Sequence, residues 1–177
     1  MTRKLFFDTD CLSAFLWTNK TAILHELYGG RIVLPEPVYQ ELSNPCIPHI
    51  KQKINRLIED QIVSVQQIDV GTEEFELYRQ LVNGSGEMMR IGRGEAAGIA
   101  LAKGADGILA SNNYQDISSY IQKYSLKHTD TGHILADALE KGLITEEEGN
   151  GIWQNMLSKK RKLPTETFSD YLKKYIG

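Results

Sequence analysis

Short apolar runs and segments with helical periodicity alternate along this chain. Four runs are short enough to be buried strands, and they lie at residues 5–8, 31–34, 62–65 and 107–110. Each run is followed by a segment in which apolar residues recur at helical spacing. The alternation predicts an α/β domain with a mainly parallel central sheet, in which ligands gather outside the carboxyl ends of the strands.

Capping and turn residues predict where the helices begin and end. Gly29 and Gly30 are expected to stop one helix, and Pro37 is expected to open the helix after the second strand. The glycine-containing stretch 83–86 is expected to be a mobile loop. The predicted helices span residues 11–17, 21–28, 37–42, 47–58, 71–81, 94–102, 114–124, 130–141 and 145–157, and Pro164 is expected to open a last short helix.

The composition is that of one ordinary globular domain. The chain has 177 residues, of which 41% are hydrophobic, and this length buries enough surface to fold without a metal or a disulfide. We expect residues 1–177 to form a single domain, with 145–177 as a C-terminal helical extension. Cys11 and Cys46 lack zinc-site spacing and are expected to be free thiols in a reducing compartment. Without an apolar run of ~20 residues or a signal-peptide core, the sequence predicts no membrane contact and a cytoplasmic location.

Charge is distributed unevenly, although the formal net charge is only −3. Residues 158–177 are rich in Lys and Arg, so the rest of the chain is the more acidic part. The positive charge is concentrated in a basic cluster, which consists of Lys159, Lys160, Arg161 and Lys162. Such a cluster is typical of a solvated helix end, and it is also a candidate contact for nucleic-acid phosphates.

Acidic and amide side chains follow the predicted strands and open the helix at 94–102. In chain order they are Asp8, Glu41, Glu95, Asn112, Asn113 and Asp116. Because parallel strands end at the same edge of a sheet, these side chains are expected to converge there. Converging carboxylates repel one another unless a cation holds them, and oxygen ligands suit Mg²⁺ or Mn²⁺. Each residue also has a purely structural explanation, as a helix cap, a first-turn acid, a solvated position or a turn residue.

Four short motifs stand in a fixed order around these residues. They are Asp8-Thr-Asp-Cys-Leu12, Pro35-Glu-Pro-Val-Tyr-Gln-Glu41-Leu42, Gly94-Glu95-Ala-Ala-Gly-Ile-Ala-Leu-Ala102 and Ser111-Asn112-Asn113. The ordered set resembles the PIN-domain family, the fold of VapC-type toxin ribonucleases, over most of the chain. The resemblance implies a three-layer α/β/α domain with C-terminal helices, and it places Asp8, Glu41 and Glu95 among the family's metal-binding acids.

One departure from the family pattern lies after the fourth strand. Many relatives have an aspartate there, whereas this chain has Asn112 and Asn113, so the expected site carries less negative charge. Some VapC-type toxins are similar to this chain, with asparagine in the turn and an acid shortly afterwards. This similarity makes Asp116 the fourth acid and the two asparagines supporting polar groups, with Asp130 as the substitute if the helix turns Asp116 away. Fewer charges are expected to weaken metal binding.

The resemblance implies a Mg²⁺- or Mn²⁺-dependent endoribonuclease with Asp8, Glu41, Glu95 and Asp116 as catalytic acids. Asp8, Glu95 and Asp116 are the implied metal ligands, and a metal-activated water is the implied nucleophile. Single-stranded or structured RNA is the expected substrate, with Arg93 and the basic cluster as its contacts. The toxin resemblance implies a small antitoxin protein as a partner, and a homodimer.

Two other functions fit parts of the pattern. Asp8 and Asp10 resemble the Asp-x-Asp start of haloacid-dehalogenase-type phosphatases, with Asp8 as the nucleophile and Asp10 as the acid/base. That family needs further residues that Cys11, Asn112 and Asn113 do not supply. The other alternative is a PIN-like module that binds RNA or protein without catalysis, because its fourth acid is degenerate.

Overall fold

One parallel five-stranded sheet organises the fold in the computed structural model, which describes residues 2–177. The strands are β1 (Leu5–Phe7), β2 (Ile32–Pro35), β3 (Val63–Gln66), β4 (Ile108–Ala110) and β5 (Lys127–Thr129). Their order across the sheet is β3-β2-β1-β4-β5, and every neighbouring pair is parallel. The register pairs Leu5 with Ile32 on one side and with Ile108 on the other. The predicted α/β class with a parallel sheet is confirmed.

Ten α-helices and a short π-helical segment accompany the sheet within residues 2–177. They are α1 (Thr9–Trp17), α2 (Thr21–Tyr28), α3 (Glu36–Leu42), α4 (Pro48–Glu59), α5 (Glu73–Asn83), α6 (Arg93–Gly104), α7 (Tyr114–Tyr124), α8 (Thr131–Glu140), α9 (Glu146–Ser158), α10 (Phe168–Tyr171) and the π-helical segment Leu172–Ile176. Side-chain oxygens that accept a backbone N–H three residues later cap five of these helices; they belong to Asp8, Thr72, Asp130, Thr145 and Thr167. Among the described residues, no helix has the length and apolar character needed to cross a membrane.

Two apolar cores lie on the two faces of the sheet. Successive strand residues point to opposite faces, so Leu5 and Phe7 of β1 belong to one core and Phe6 belongs to the other. Helices α1 to α4 and α8 to α10 pack on the first face, and α5 to α7 pack on the second. The domain is therefore a three-layer α/β/α structure, as expected.

Two local features differ from the sequence prediction. The structure has a fifth strand, β5, whose residues Lys127-His128-Thr129 contain no apolar run and pair with β4 at the edge of the sheet. The last α-helix begins at Phe168 rather than near Pro164, because the Thr167 side chain provides its cap. The predicted loop at 83–86 begins at Asn83, the last residue of α5, continues through Gly84 with a φ of 74°, and includes Ser85, which a backbone bridge joins to Met88.

The C-terminal helices pack onto α8 through buried aromatic rings. Trp153, Phe168 and Tyr171 are almost completely buried, and the Trp153 ring centroid lies 5.4 Å from that of Tyr171. Glycine is required beneath the Tyr171 ring, because a Cβ on Gly132 would lie 2.2 Å from it. Helix α10 is therefore held against the N-terminal turn of α8, close to the carboxyl edge of the sheet.

Candidate functional site

The candidate site lies where the strand order of the sheet reverses. β1 and β4 are neighbours, and the chain continues outwards from them in opposite directions, which creates a crevice at their carboxyl ends. Asp8 follows β1 directly, and its backbone N–H donates to the Ala110 carbonyl at the end of β4, at 2.9 Å. The N-terminal turns of α1 and α6 meet at the same edge, where Gly94 lies against Thr9.

Asp8 is a buried carboxylate with one oxygen that lacks a partner. It is 2% exposed, and its Oδ1 caps α1 by accepting the Cys11 N–H at 2.8 Å. Its Oδ2 has no partner that meets hydrogen-bond geometry. Burial raises the pKa of Asp8 to about 7, against the opposing influence of the Ser111 side chain and the Cys11 N–H. The negative charges of Asp10 and Glu95 act in the same direction as burial.

Asn113 connects two further acids at this edge. Its Nδ2 donates to Glu95 Oε1 at 3.4 Å and to Asp116 Oδ2 at 2.8 Å. Its backbone N–H donates to the Ser111 hydroxyl at 3.2 Å, which fixes the turn after β4. Glu95 is half-buried in the first turn of α6, and Asp116 is exposed in the first turn of α7. An amide here holds two carboxylates close together, where an aspartate would repel them.

Glu41 is held beside the start of α1 by a residue that the sequence analysis did not assign to the site. The Thr9 hydroxyl donates to the Glu41 carboxylate. A Cβ on Gly94 would lie 3.4 Å from Thr9 Oγ1 and 3.5 Å from Glu41 Oε1, so a glycine allows α6 to approach the pair closely. The position of Thr9 directly after Asp8, within the first motif, is the signal that points to it.

The four candidate acids, Asp8, Glu41, Glu95 and Asp116, lack basic partners within the described residues. None of these acids takes part in an ion pair within residues 2–177. Arg93, two positions before Glu95, is exposed and donates to the Tyr78 hydroxyl at 3.2 Å. That hydrogen bond is the main cause that raises the pKa of Arg93, with the charge of Glu41 as a smaller one. Carboxylates that are grouped without a cationic partner favour a bound cation.

The donor chemistry of this edge suits a hard divalent cation. The strongest indication is Asp8 Oδ2, because a buried ionised oxygen needs either a hydrogen-bond donor or a cation. Within residues 2–177, no three acidic, histidine or cysteine side chains are arranged as a complete ligand set. Mg²⁺ is commonly bound through one or two carboxylates and keeps several waters, so Asp8 together with Glu95 or Asp116 meets its needs.

Asn112 and Asp130 are engaged at the start of α8. Asn112 Oδ1 accepts the backbone N–H and the hydroxyl of Thr131, each at 2.9 Å. Asp130 caps α8, and its Oδ1 accepts the His133 N–H at 2.8 Å and the Tyr171 hydroxyl at 2.7 Å. Neither side chain is hydrogen-bonded to the four candidate acids within the described chain. The two asparagines after β4 therefore have different roles, since Asn113 alone of the two contacts Glu95 and Asp116.

The basic cluster lies at the opposite end of α1 from the acids. The Arg161 guanidinium is positioned over the Trp17 ring, 5.5 Å from its centroid. Trp17 is the last residue of α1, whereas Asp8 caps its first turn, and a helix of nine residues is about 13 Å long. Lys159 lies near Lys53, whose pKa is lowered by burial and then by the Lys159 charge. The structure therefore does not bring this cluster to the edge that carries the acids.

A comparison with protein families identifies the type of domain. A family model described as a PIN domain matches residues 4–176, which includes the whole sheet and the C-terminal helices. A search among curated proteins found no match. The fold and the family match therefore rest on nearly the full length of the chain.

Proposed function

Because this chain belongs to the PIN-domain family, we propose that it is a metal-dependent ribonuclease that hydrolyses phosphodiester bonds in RNA. The PIN domain is a nuclease-type fold, which supports a nucleic acid as the substrate. The observation that carries the proposal is the buried Asp8 carboxylate, whose Oδ2 has no hydrogen-bond partner, at an edge where three further acids form no ion pair within residues 2–177. Such an edge suits hydrolysis by a water molecule and requires no nucleophilic side chain.

Of the predicted ligands Asp8, Glu95 and Asp116, we propose that Asp8 would hold Mg²⁺ or Mn²⁺ together with one of the other two carboxylates. A divalent ion, when bound, lowers the pKa of a water molecule and stabilises negative charge on phosphate oxygens. Asp8 is the best anchor, because its carboxylate is buried and its position is fixed by the cap that it makes to α1. Glu95 and Asp116 are more accessible, so they are able to adjust when a cation and a phosphate arrive.

The polar neighbours of these acids prepare the edge for the reaction. Asn113 holds Glu95 and Asp116 close to each other with a single amide and adds no charge, and the charge of Glu95 acts on Asp8. Thr9 holds one Glu41 oxygen, and we propose that the other Glu41 oxygen orients the attacking water and accepts its proton. A preorganised arrangement of this kind reduces the entropy that the reaction must lose.

RNA phosphates need positive charge to approach an acidic edge. Arg93 is exposed in the same helical turn as Glu95, and we propose it as the phosphate contact nearest the acids. The basic cluster, at the far end of α1, is proposed to bind more distant phosphates of an extended strand. Single-stranded RNA suits this arrangement better than a duplex, because its backbone is flexible and its bases are accessible.

Cleavage by the purified protein tests the proposal. A panel of single-stranded and structured RNAs is incubated with Mn²⁺, and the wild type is compared with a double variant that carries Asp8→Asn and Glu95→Gln. We expect the double variant to cleave at least about 100-fold more slowly, because two proposed metal ligands lose their charge. Asp106→Asn is the matched control, because Asp106 lies at the opposite ends of the same strands, and it is expected to keep the wild-type rate. Equal rates for the wild type and the double variant would contradict the proposal.

We further propose that the ribonuclease acts in the cytoplasm as the toxin of a toxin–antitoxin pair, with a small antitoxin and a homodimer as its assemblies. The support for this finer proposal is the resemblance of the four sequence motifs to VapC-type toxins. Expression in a bacterial host is expected to arrest growth, and Asp8→Asn is expected to relieve the arrest. Sedimentation equilibrium of the purified chain tests the homodimer. Normal growth with active enzyme present would favour a role in RNA processing instead.

A binding module without catalysis is the second candidate function. The observation that favours it is the turn after β4, where the family commonly has an aspartate and this chain has Asn112 and Asn113. Both amides are used in hydrogen bonds, which is a structural role that needs no reaction. RNA binding without cleavage in Mn²⁺, unchanged in the double variant, would support this second candidate.

A further inference from the structure

A cavity lies beside the acids, between the turn after β4, α8 and the C-terminal segment. Its volume is about 300 Å³, which lies within the range of small-molecule sites. Five of the residues that line it have aromatic rings: Tyr114, His128, His133, Tyr171 and Tyr175. The proposed reaction uses none of these rings, so the cavity is an additional feature of the molecule.

The aromatic wall combines fixed rings with an accessible one. Tyr171 is buried against Gly132, and its hydroxyl donates to Asp130, so this ring is fixed. Tyr114 is 54% exposed, and its ring centroid lies 5.6 Å from that of His128. An exposed tyrosine ring beside a concave apolar surface is suited to stacking against a planar aromatic group.

Two hydrogen-bond acceptors of the wall are available. His128 Nε2 lies 2.8 Å from the Ser111 carbonyl oxygen, which only accepts, so Nε2 carries the proton. Burial lowers the pKa of His128, and in the neutral ring Nδ1 is then an acceptor with no partner in the described chain. Asp130 uses Oδ1 for its hydrogen bonds, and its Oδ2 likewise has none within residues 2–177. The cavity therefore suits a planar ring that donates N–H groups.

The turn after β4 joins this cavity to the acids. Asn113 contacts Glu95 and Asp116, whereas Asn112 and Tyr114 on either side of it line the cavity. Consecutive Cα atoms are about 3.8 Å apart, so the residue that contacts the acids and the residue that lines the cavity are direct neighbours in one turn. A positive charge lies at the same wall, because Lys174 Nζ is 5.1 Å from the centroid of the Tyr175 ring.

We propose that this cavity is a base subsite that takes one unpaired nucleobase with an exocyclic amino group, next to the phosphate that is cleaved. The base stacks on Tyr114 and donates its N–H groups to Asp130 Oδ2 and His128 Nδ1. Adenine, cytosine and guanine have the required amino group, whereas uracil lacks it. The inference rests on the proposed ribonuclease function, because that function makes RNA the ligand, and it adds a preference at one nucleotide position.

Nucleoside 5′-monophosphates test the subsite without cleavage, because they contain no phosphodiester bond. AMP, CMP, GMP and UMP are titrated into the ¹⁵N-labelled protein, and the NMR shifts of backbone amides are followed. We expect the three amino-bearing nucleotides to shift the amides of residues 128–133 and to bind at least about fivefold more tightly than UMP. Ribose 5-phosphate, which has no base, is expected to leave these amides unshifted.

Substitutions of Tyr114 give the decisive comparison. Tyr114→Ala is expected to weaken the binding of CMP roughly tenfold, whereas Tyr114→Phe keeps the ring and is expected to bind within about twofold of the wild type. Gln122→Ala, an exposed substitution on the same helix, is the control for the fold of α7. Unchanged binding in Tyr114→Ala, or equally strong binding of ribose 5-phosphate, would overturn the subsite.

The outcome is separable from that of the ribonuclease test. Nucleotide binding that depends on Tyr114, in a protein that does not cleave RNA, would keep the subsite and refute the ribonuclease. Cleavage of RNA by Tyr114→Ala with an unchanged preference among the four bases would keep the ribonuclease and overturn the subsite.

Discussion

Strands β1, β4 and β5 have an aspartate near each of their two ends, and these two aspartates lie in opposite environments. At the amino ends of β1, β4 and β5, Asp106 accepts hydrogen bonds from Arg3 and Lys127, each at 3.1 Å. At their carboxyl ends, Asp8 is buried, has one oxygen without a partner and forms no ion pair in the described chain. The two residues differ in their surroundings and not in their chemistry.

The two carboxylates differ in how their surroundings affect ionisation. Hydrogen bonds from Lys127 and Arg3 hold the pKa of Asp106 below its usual range, and this aspartate is exposed. Burial raises the pKa of Asp8 to about 7, so its ionised form destabilises the folded chain at neutral pH. Acids with perturbed pKa values in crevices are enriched at functional sites, which supports the proposed role of Asp8.

A lysine placed among the candidate acids should give them the basic partner that Asp106 has at the other end of the strands. We expect this change to have the largest effect on RNA cleavage. In Asn113→Lys, an ammonium group replaces the amide that contacts Glu95 and Asp116. We expect RNA cleavage in Mn²⁺ to fall at least about 100-fold, because the lysine competes with the divalent cation. Gln122→Lys adds the same charge at the far end of α7 and is expected to retain activity. Full activity of Asn113→Lys would show that Glu95 and Asp116 are not needed.

Removing the buried charge should stabilise the protein in the absence of metal. The folded-state pKa of Asp8 lies above its unfolded value, so the stability present below pH 3.8 is lost as the pH rises through about 7. An asparagine side chain at this position would still cap α1 but would not ionise, so we expect Asp8→Asn to raise the free energy of unfolding at pH 8 by about 2–4 kcal/mol. Urea unfolding in EDTA between pH 5 and 8 measures the effect.

The control for this stability change is an aspartate that is exposed to solvent. Asp60 is exposed at the end of α4, and Asp60→Asn is expected to leave the pH profile of stability as it is in the wild type. If Asp8→Asn and the wild type lost stability in parallel between pH 5 and 8, the buried carboxylate would not be the cause.

The affinity for a divalent metal should rise with pH, whereas the stability of the metal-free protein should fall. A divalent cation binds the ionised form of Asp8, whose pKa is about 7, so the proton and the cation compete. We expect the affinity for Mn²⁺ to rise about tenfold between pH 6 and pH 8. Isothermal titration calorimetry at the two pH values tests this expectation. The Glu95→Gln variant is expected to bind Mn²⁺ more weakly at both pH values but to show the same change of affinity between them. An affinity independent of pH would exclude Asp8 as a ligand.

Disrupting the opposite end of the strands should have the smallest effect. Arg3→Ala and Lys127→Ala each remove one partner of Asp106, at a surface where solvent screens the charges. We expect both variants to cleave RNA within about twofold of the wild-type rate and to unfold at nearly the same temperature. A large loss of cleavage in either variant would mean that the two ends of the strands are coupled.

Local signals in the sequence predict most of the secondary structure. The predicted ends of α2 and α7 coincide with Thr21–Tyr28 and Tyr114–Tyr124, because helical periodicity and flanking turn residues act over a few positions. The strand β5 has no such signal, since Lys127-His128-Thr129 is polar and becomes a strand only by pairing with β4. Its existence depends on a neighbour that is far away in the sequence.

The motifs also select the candidate acids, but not their partners. Asp8, Glu41 and Glu95 are identified by the order of the motifs. The contact between Thr9 and Glu41 joins residues 32 positions apart, and Asn113 reaches Glu95 across 18 positions. Such contacts follow from the order of strands in the sheet, which periodicity does not encode.

The adjacent residues Asn112 and Asn113 show most clearly how far the sequence predicts the site. The amino-acid order is enough to specify an alternating α/β chain whose strands end in polar residues, because hydrophobic periodicity and helix caps are local properties. The packing of the folded chain is what brings Asn113 to the acids and Asn112 to α8, and what leaves Asp8 Oδ2 without a hydrogen-bond partner. The reason is physical: the direction of a side chain in a turn, and the burial of a carboxylate, depend on elements that meet only when the sheet has formed.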